Sequence, residues 1–228
     1  MSANPQPAWV LVAAYNEAPV IAGVVSELVG CGHRVVVVDD GSTDATGALA
    51  LAAGAVLLTH PINLGQGAAL QTGIVFALRR GANTIVTFDA DGQHRAADAA
   101  VLIAALDDNG ADFALGSRFL AAAPAMPPSR RLLLRGATAF TRLTTGMRVT
   151  DTHNGLRAMT RRGASQIALR QNRMAHASEI LHCIARSGLR YVEVPVTIDY
   201  SAYSLAKGQS FADSLRILLD LSAHRLHR

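Results

Sequence analysis

The chain has 228 residues, of which 50% are hydrophobic and 17% charged, against about a quarter charged in an average soluble domain. These values exclude intrinsic disorder, and the lack of a Gly-X-Y repeat or a sustained heptad excludes collagen and coiled coil. A net charge of +4 suits an anionic partner without choosing among a phosphorylated ligand, nucleic acid and a membrane surface.

Trp9–Ala13 reads as a strand, and Glu17–Leu28 as a helix with Val20, Ile21, Val24 and Val25 on its apolar face. Arg34–Asp39 contains four consecutive valines, which predicts a strand buried on both faces, the habit of a central parallel strand. Asp44–Ala53 reads as a short helix, Ala55–Leu58 as a strand and Gly67–Arg80 as a helix. Thr84–Phe88 is a predicted strand, Ala96–Leu106 a helix and Asp112–Leu115 a short strand. This alternation predicts right-handed βαβ units in an α/β domain, an open sheet covered by helices on both faces. The pattern then loosens. Ala121–Ser129 holds three prolines and reads as a loop, Arg130–Thr145 as a helix, Leu156–Met159 as a short strand and Ala177–Arg186 as a helix. Tyr191–Val196 alternates as a strand does, and Asp199–Ser210 is a polar loop with two tyrosines. Phe211–Arg228 reads as a basic amphipathic helix with Phe211, Leu215, Leu218, Leu219 and Leu226 on one face.

No apolar run approaches the roughly 20 residues that span a bilayer, and Met1–Pro7 lacks the basic and apolar regions of a secretory leader, so neither is expected. Cys31 and Cys183 stand far apart and outside metal-ligand spacing, which fits a reducing compartment.

In an open α/β sheet, ligands bind beyond the carboxyl ends of the strands. The residues after the predicted strands are Ala13-Ala14-Tyr15-Asn16-Glu17, Asp39-Asp40-Gly41-Ser42-Thr43-Asp44, Asn63-Leu64-Gly65-Gln66-Gly67, Asp89-Ala90-Asp91-Gly92-Gln93-His94 and Gly116-Ser117-Arg118. One polar or glycine-rich strand end is a common accident, whereas five in succession on one sheet edge predict a site. Asp89 and Asp91 can converge on a hard cation, with the Gln93 amide oxygen as a third ligand. A solvated turn would read the same way. Asp39–Asp44 fits a ribose or base contact followed by a helix capped by Thr43 or Asp44, or a turn and cap alone. Asn63–Gly67 could bring backbone amides to a phosphate, or be an ordinary glycine turn. His60, His94 and His153 read as surface or hydrogen-bonded histidines rather than ligands.

A dinucleotide fingerprint is missing. The first loop has no glycine, and Gly65-Gln66-Gly67 continues Ala68-Ala69-Leu70 without the third small residue. A P-loop ending and a G-x-S-x-G elbow are absent too. Few aromatics and no basic cluster longer than Arg130-Arg131 argue against a nucleic-acid module.

Taken together, from Trp9 to Lys207, the loops resemble the family 2 glycosyltransferases of GT-A fold, and most closely the dolichyl- and polyprenyl-phosphate sugar transferases. The resemblance rests on Ala14-Tyr15-Asn16-Glu17, Val38-Asp39-Asp40-Gly41-Ser42, Asn63–Gly67, the Asp89-Ala90-Asp91 DXD motif, Gly116-Ser117-Arg118, Thr150–Arg157 and Val194-Pro195-Val196. The chain departs from the family pattern at Ala13, where proline is common. It departs again at Ser201 and Ala206, where the lipid-phosphate subgroup has arginine and serine. The resemblance implies a Rossmann-like open mixed, mainly parallel sheet with helices on both faces. It implies a catalytic domain over residues 1–210, with 211–228 as a helix of that domain or a membrane or partner contact. Ala13, Tyr15, Glu17, Asp40, Gly65, Asp89 and Ala90 would line the nucleotide sugar, and Asp89, Asp91 and Gln93 would hold Mg²⁺ or Mn²⁺. Asp91, Arg118, Asp151 and Lys207 would form the catalytic set, Lys207 being the one lysine among 21 basic residues.

The implied activity is inverting transfer of a hexose from a nucleoside diphosphate sugar to a polyprenyl phosphate. Two alternatives remain. One is a hexosyl- or rhamnosyltransferase acting on a sugar hydroxyl in cell-surface polysaccharide synthesis, with Asp151 or Glu179 as base. The other is a non-catalytic nucleotide-sugar-binding subunit. The expected partners are the donor, a lipid phosphate or glycan, and a membrane or membrane protein, but no nucleic acid. The expected location is the cytoplasm, including the cytoplasmic face of the membrane.

Overall fold

The structure is a computed structural model that describes residues 7–120, 136, 138–139, 141–171 and 176–199. The loop expected over 121–129, most of the helix expected over 130–145, the polar loop from 200, Lys207 and the amphipathic helix lie outside the described residues.

Seven strands form one sheet in the order β3-β2-β1-β4-β6-β5-β7. They are β1 (Trp9–Ala14), β2 (Arg34–Asp39), β3 (Val56–Thr59), β4 (Thr84–Asp89), β5 (Phe113–Ser117), β6 (Arg157–Thr160) and β7 (Tyr191–Pro195). The helices are α1 (Ile21–Gly30), α2 (Thr46–Ala52), α3 (Gln66–Arg79), α4 (Ala96–Asn109), the single turn α5 (Arg161–Ala164) and α6 (His176–Ser187). Residues 141–145 are also helical. The pairs β3–β2, β2–β1, β1–β4 and β5–β7 are parallel, whereas β6 runs antiparallel to both β4 and β5. The sheet is therefore mixed and mainly parallel.

Two cores lie on its opposite faces. Val35 and Val37 pack with α1 and α4 through Ile21, Val25, Leu28 and Leu102, while Val36 and Val38 pack with α3 and α6 through Ile74, Ile180 and Leu181. The valine run is buried on both sides, as its composition requires. Each such side chain contributes about 1.5–3 kcal/mol, so the two cores dominate stability and leave the strand ends free for function.

Element boundaries differ from expectation where local chemistry intervenes. α1 begins at Ile21 because Pro19 disfavours helix at the residue before it, and the Glu17 carbonyl instead closes a turn onto the amides of Val20 and Ile21. α2 has Ala45 at its formal cap, but the Asp44 carboxylate accepts a hydrogen bond from the Thr46 amide, so Asp44 acts one position upstream. α4 continues to Asn109 through polar residues that carry no apolar period, and stops where Gly110 turns left-handed at φ 54°.

Candidate active site

All strands but β6 end on one edge, and β6 begins there. Ala14, Asp39, Asp89 and Ser117 therefore share that edge with Asn154, Gly155 and Arg157. The five predicted strand-end loops come together there.

The first two loops are tied to each other. Asn16, in the left-handed region at φ 53°, donates its amide to Ser42 Oγ (3.0 Å) and accepts the Thr43 amide on its side chain (2.9 Å). Asparagine tolerates that conformation better than most residues. Glu17 is buried and its amide donates to Thr46 Oγ1 (2.8 Å), whereas Tyr15 is 42% exposed on the same loop. Ala13 is half-buried between Val38 and Asp89.

Asp39 accepts the Ser42 amide (2.9 Å), closing its own turn. Asp40 is buried, and its carboxylate accepts the amides of Leu64 (3.0 Å) and Gly65 (2.6 Å) while lying 2.7 Å from His60 Nδ1. His60 Nε2 lies 3.0 Å from Thr72 Oγ1. Of the Asn63–Gly67 amides expected to meet a phosphate or to form a glycine turn, those of Leu64 and Gly65 are taken by the Asp40 carboxylate. Both Asp40 oxygens are likewise engaged within the fold. The loop then delivers Gln66, whose side-chain amide donates to Asp89 Oδ1 (3.2 Å). A Cβ at Gly67 would collide with the Gln171 carbonyl oxygen, so the first turn of α3 fits there only with glycine.

Asp89 Oδ2 lies 3.0 Å from His94 Nε2, and His94 stacks edge-on against Phe88. Burial works against ionisation of Asp89. The His94 hydrogen bond, with the electrostatic attraction of His94, Arg157 and His176, outweighs it and holds the carboxyl below the usual aspartate range. Asp91 goes the other way. Burial and the Asp89 charge push its carboxyl up, against the hydrogen bond it accepts from the Gln93 amide (3.1 Å). The Gln93 carbonyl accepts the Asp199 amide, fixing the turn, and Ala90 is buried beneath it. A Cβ at Gly155 would lie 2.2 Å from both Asp89 oxygens, so the segment before β6 presses its bare backbone against this carboxylate.

Among the described residues no three His, Cys, Asp or Glu side chains already surround one point. The donor chemistry nevertheless fits a hard divalent cation. Two mutually repelling carboxylates stand at i and i+2, and a cation of this kind keeps room for water and phosphate oxygens beside its protein ligands.

Arg118 and Asp151 find each other. Arg118, 7% exposed, donates Nε (2.6 Å) and its backbone amide (3.2 Å) to Asp151 Oδ2, and Asp151 Oδ1 accepts the His153 amide (3.2 Å). Glu193 braces the segment by accepting the Thr150 amide (2.7 Å) and hydroxyl (2.9 Å). Glu179 accepts the amides of Arg170 and Gln171 and holds loop backbone. His60, His94 and His153 are all hydrogen-bonded, as read from the sequence. Arg157 is the buried charged residue that reading past strand ends misses, because it precedes its strand. The signal in the sequence is the Thr150–Arg157 motif that ends on it.

This mixed sheet, with its acidic strand-end turn, is the architecture of the GT-A fold. The family model for glycosyl transferase family 2 matches residues 9–167. UDP-N-acetylglucosamine–dolichyl-phosphate N-acetylglucosaminyltransferase of Methanococcus voltae is 30% identical, over 93% of this chain and 94% of that protein. Polyprenol monophosphomannose synthase of Mycolicibacterium smegmatis is 34% identical, over 87% and 79%. Among solved structures, glucosyl-3-phosphoglycerate synthase of Mycobacterium tuberculosis with Mg²⁺ and UDP shares the fold at a TM-score of 0.72 and 19% identity, over 95% of this chain and 79% of that one. The chain belongs to glycosyl transferase family 2.

Proposed function

We propose that the protein transfers a hexose from a nucleoside diphosphate sugar to a polyprenyl phosphate with inversion at the anomeric carbon. The observation that carries this reading is the state of the two candidate bases. Asp151 is engaged by Arg118, and Glu179 by loop amides. A sugar hydroxyl would need a carboxylate within hydrogen-bond reach to take its proton, and an aspartate paired with an arginine is a weaker base for that step. A lipid phosphate is already ionised at neutral pH and needs none. The relatives named for dolichyl phosphate and for polyprenol monophosphomannose support the same acceptor class.

In this reading Tyr15, Glu17 and the loop clamped by Asp40 hold the nucleoside, with Ala13, Gly65 and Ala90 lining the donor. Asp89, Asp91 and Gln93 would hold Mg²⁺ or Mn²⁺, which when bound neutralises charge on the departing diphosphate as a Lewis acid. Arg118 orients Asp151 and adds positive charge beside the reacting phosphates, and Lys207, outside the described residues, is proposed to do the same. An acceptor phosphate oxygen forms the new bond to the anomeric carbon as the bond to the donor phosphate breaks. The nucleoside diphosphate leaves as an anion, and no proton needs to move. Among the described residues no helix is long and apolar enough to cross a membrane. The catalytic unit is proposed to span 1–210, with the basic helix of 211–228 or a membrane-protein partner bringing it to the lipid on the cytoplasmic face.

The test is nucleotide release from UDP-, GDP- and dTDP-sugars with Mg²⁺ or Mn²⁺, with and without polyprenyl phosphate. Release that requires the lipid phosphate is the expected result. Release driven by a glycan instead would overturn the acceptor, and binding without release would favour a non-catalytic subunit.

A further inference from the structure

Because β6 runs against its neighbours, its first residue, Arg157, opens on the site edge opposite Thr87 and Leu115. The residue is only 3% exposed. Among the described residues its single hydrogen bond is long, from Nη2 to the Thr152 carbonyl (3.4 Å), and no carboxylate lies within ion-pair distance. Asp89 and Asp151 act on it only through space, and burial pushes its guanidinium below the usual arginine value. The contrast with the equally buried Arg118, seated on Asp151, is direct.

A guanidinium carries five donors, and burying one with a single weak partner is costly. A fold keeps such a group where a ligand completes it. Among the described residues the buried polar atoms cut off from both solvent and partner are His33 Nε2, His94 Nδ1 and Asn154 Nδ2. Arg157 is not among them, so its unpaired nitrogens keep a small contact with solvent, the side from which a ligand reaches them. The fork of a guanidinium matches two oxygens of a phosphate, which a lysine ammonium does not. The position, between the Asp89 turn and the segment from Thr150 to Gly155, lies where donor and acceptor phosphates would meet.

We propose that Arg157 is a phosphate-binding residue of this site, taking an oxygen of the donor diphosphate or of the acceptor phosphate. The two candidate sources rest on the transfer reading above; the buried, under-used cation does not.

The test uses Arg157→Met and Arg157→Lys in the full chain. In EDTA, pyrophosphate should raise the melting temperature of the wild type. Arg157→Met should abolish that rise while its ligand-free melting temperature equals or exceeds the wild-type value, and Arg157→Lys should keep part of the rise. Loss of at least about tenfold in nucleoside diphosphate affinity with Mn²⁺ would assign the donor phosphate. A similar rise in KM for farnesyl phosphate, with nucleotide affinity intact, would assign the acceptor. A wild type that pyrophosphate does not stabilise, or an undiminished rise in Arg157→Met, would overturn the proposal. So would a marked ligand-free destabilisation of both variants, which is the mark of a structural arginine. If the wild type is inactive with every donor while Arg157→Met still abolishes the pyrophosphate effect, the transfer reading falls and the phosphate site stands.

Discussion

Burial and the charge of Asp89 both penalise the ionised form of Asp91. An acid whose folded pKa is raised loses stability as pH climbs from its unfolded value, about 3.9, through the folded value, and the deficit persists above it. Removing the charge removes the deficit. Asp91→Asn should therefore melt at or above the wild-type temperature at pH 8 in EDTA, with the advantage vanishing below about pH 4. Transfer should fall by about 100-fold or more, because the carboxylate proposed to meet the cation is gone. Thermal melts across that range, alongside nucleotide release, check both halves. A variant less stable than wild type at pH 8 would contradict this account of the site. Asp151 shows the other pattern, a carboxylate already satisfied by Arg118 and the His153 amide.

The loop from His60 to Gly67 shows how one element positions another. Asp40, at the end of β2, receives the amides of Leu64 and Gly65, and the chain then reaches Gln66 and Asp89. Asp40→Ala would remove the acceptor of two partly exposed amides, at a cost of about 1–2 kcal/mol in urea unfolding. Nucleotide affinity should weaken with it, as Gln66 and the loop drift from the Asp89 turn. An unchanged nucleotide affinity in the folded variant would contradict the clamp.

The strand-end loops were legible in sequence because each is a local string following an apolar run. The partners of Asp40 were not, since His60 and Gly65 lie 20 and 25 positions away and meet it only through packing of β3 and α3 on β2. Arg157 was legible only as the end of the Thr150–Arg157 motif, because nothing in Leu156–Met159 announces that its strand runs backwards and so opens at the site edge. Glu179 looked like a candidate base because a helix acid and a catalytic acid read alike until the amides of Arg170 and Gln171 are seen beneath it.

Across the whole molecule, the edge of the sheet opposite the site carries a purely structural ion pair. At the far edge Asp112, 2% exposed, accepts Arg162 Nε (2.8 Å) and the Thr160 hydroxyl (2.8 Å), joining β5 to the end of β6. The Arg162 hydrogen bond, with that of Thr160, outweighs desolvation and holds the Asp112 carboxyl below the usual range. A lowered folded pKa gives stability that is present above about pH 3.9 and lost as pH falls through the folded value. Asp112→Asn should lower the melting temperature at pH 7, the gap to wild type should close in acid, and kcat should stay unchanged. A loss of kcat in the folded variant would contradict the separation of the two edges.

The most direct measurement is a crystal structure grown with Mn²⁺ and the nucleoside diphosphate selected by the donor panel, with the metal located by its anomalous signal. The account predicts a manganese peak between Asp89 and Asp91, bridged to the diphosphate, at the edge where β4 ends and β6 begins. A peak elsewhere, or a diphosphate bound away from these two carboxylates, would contradict it.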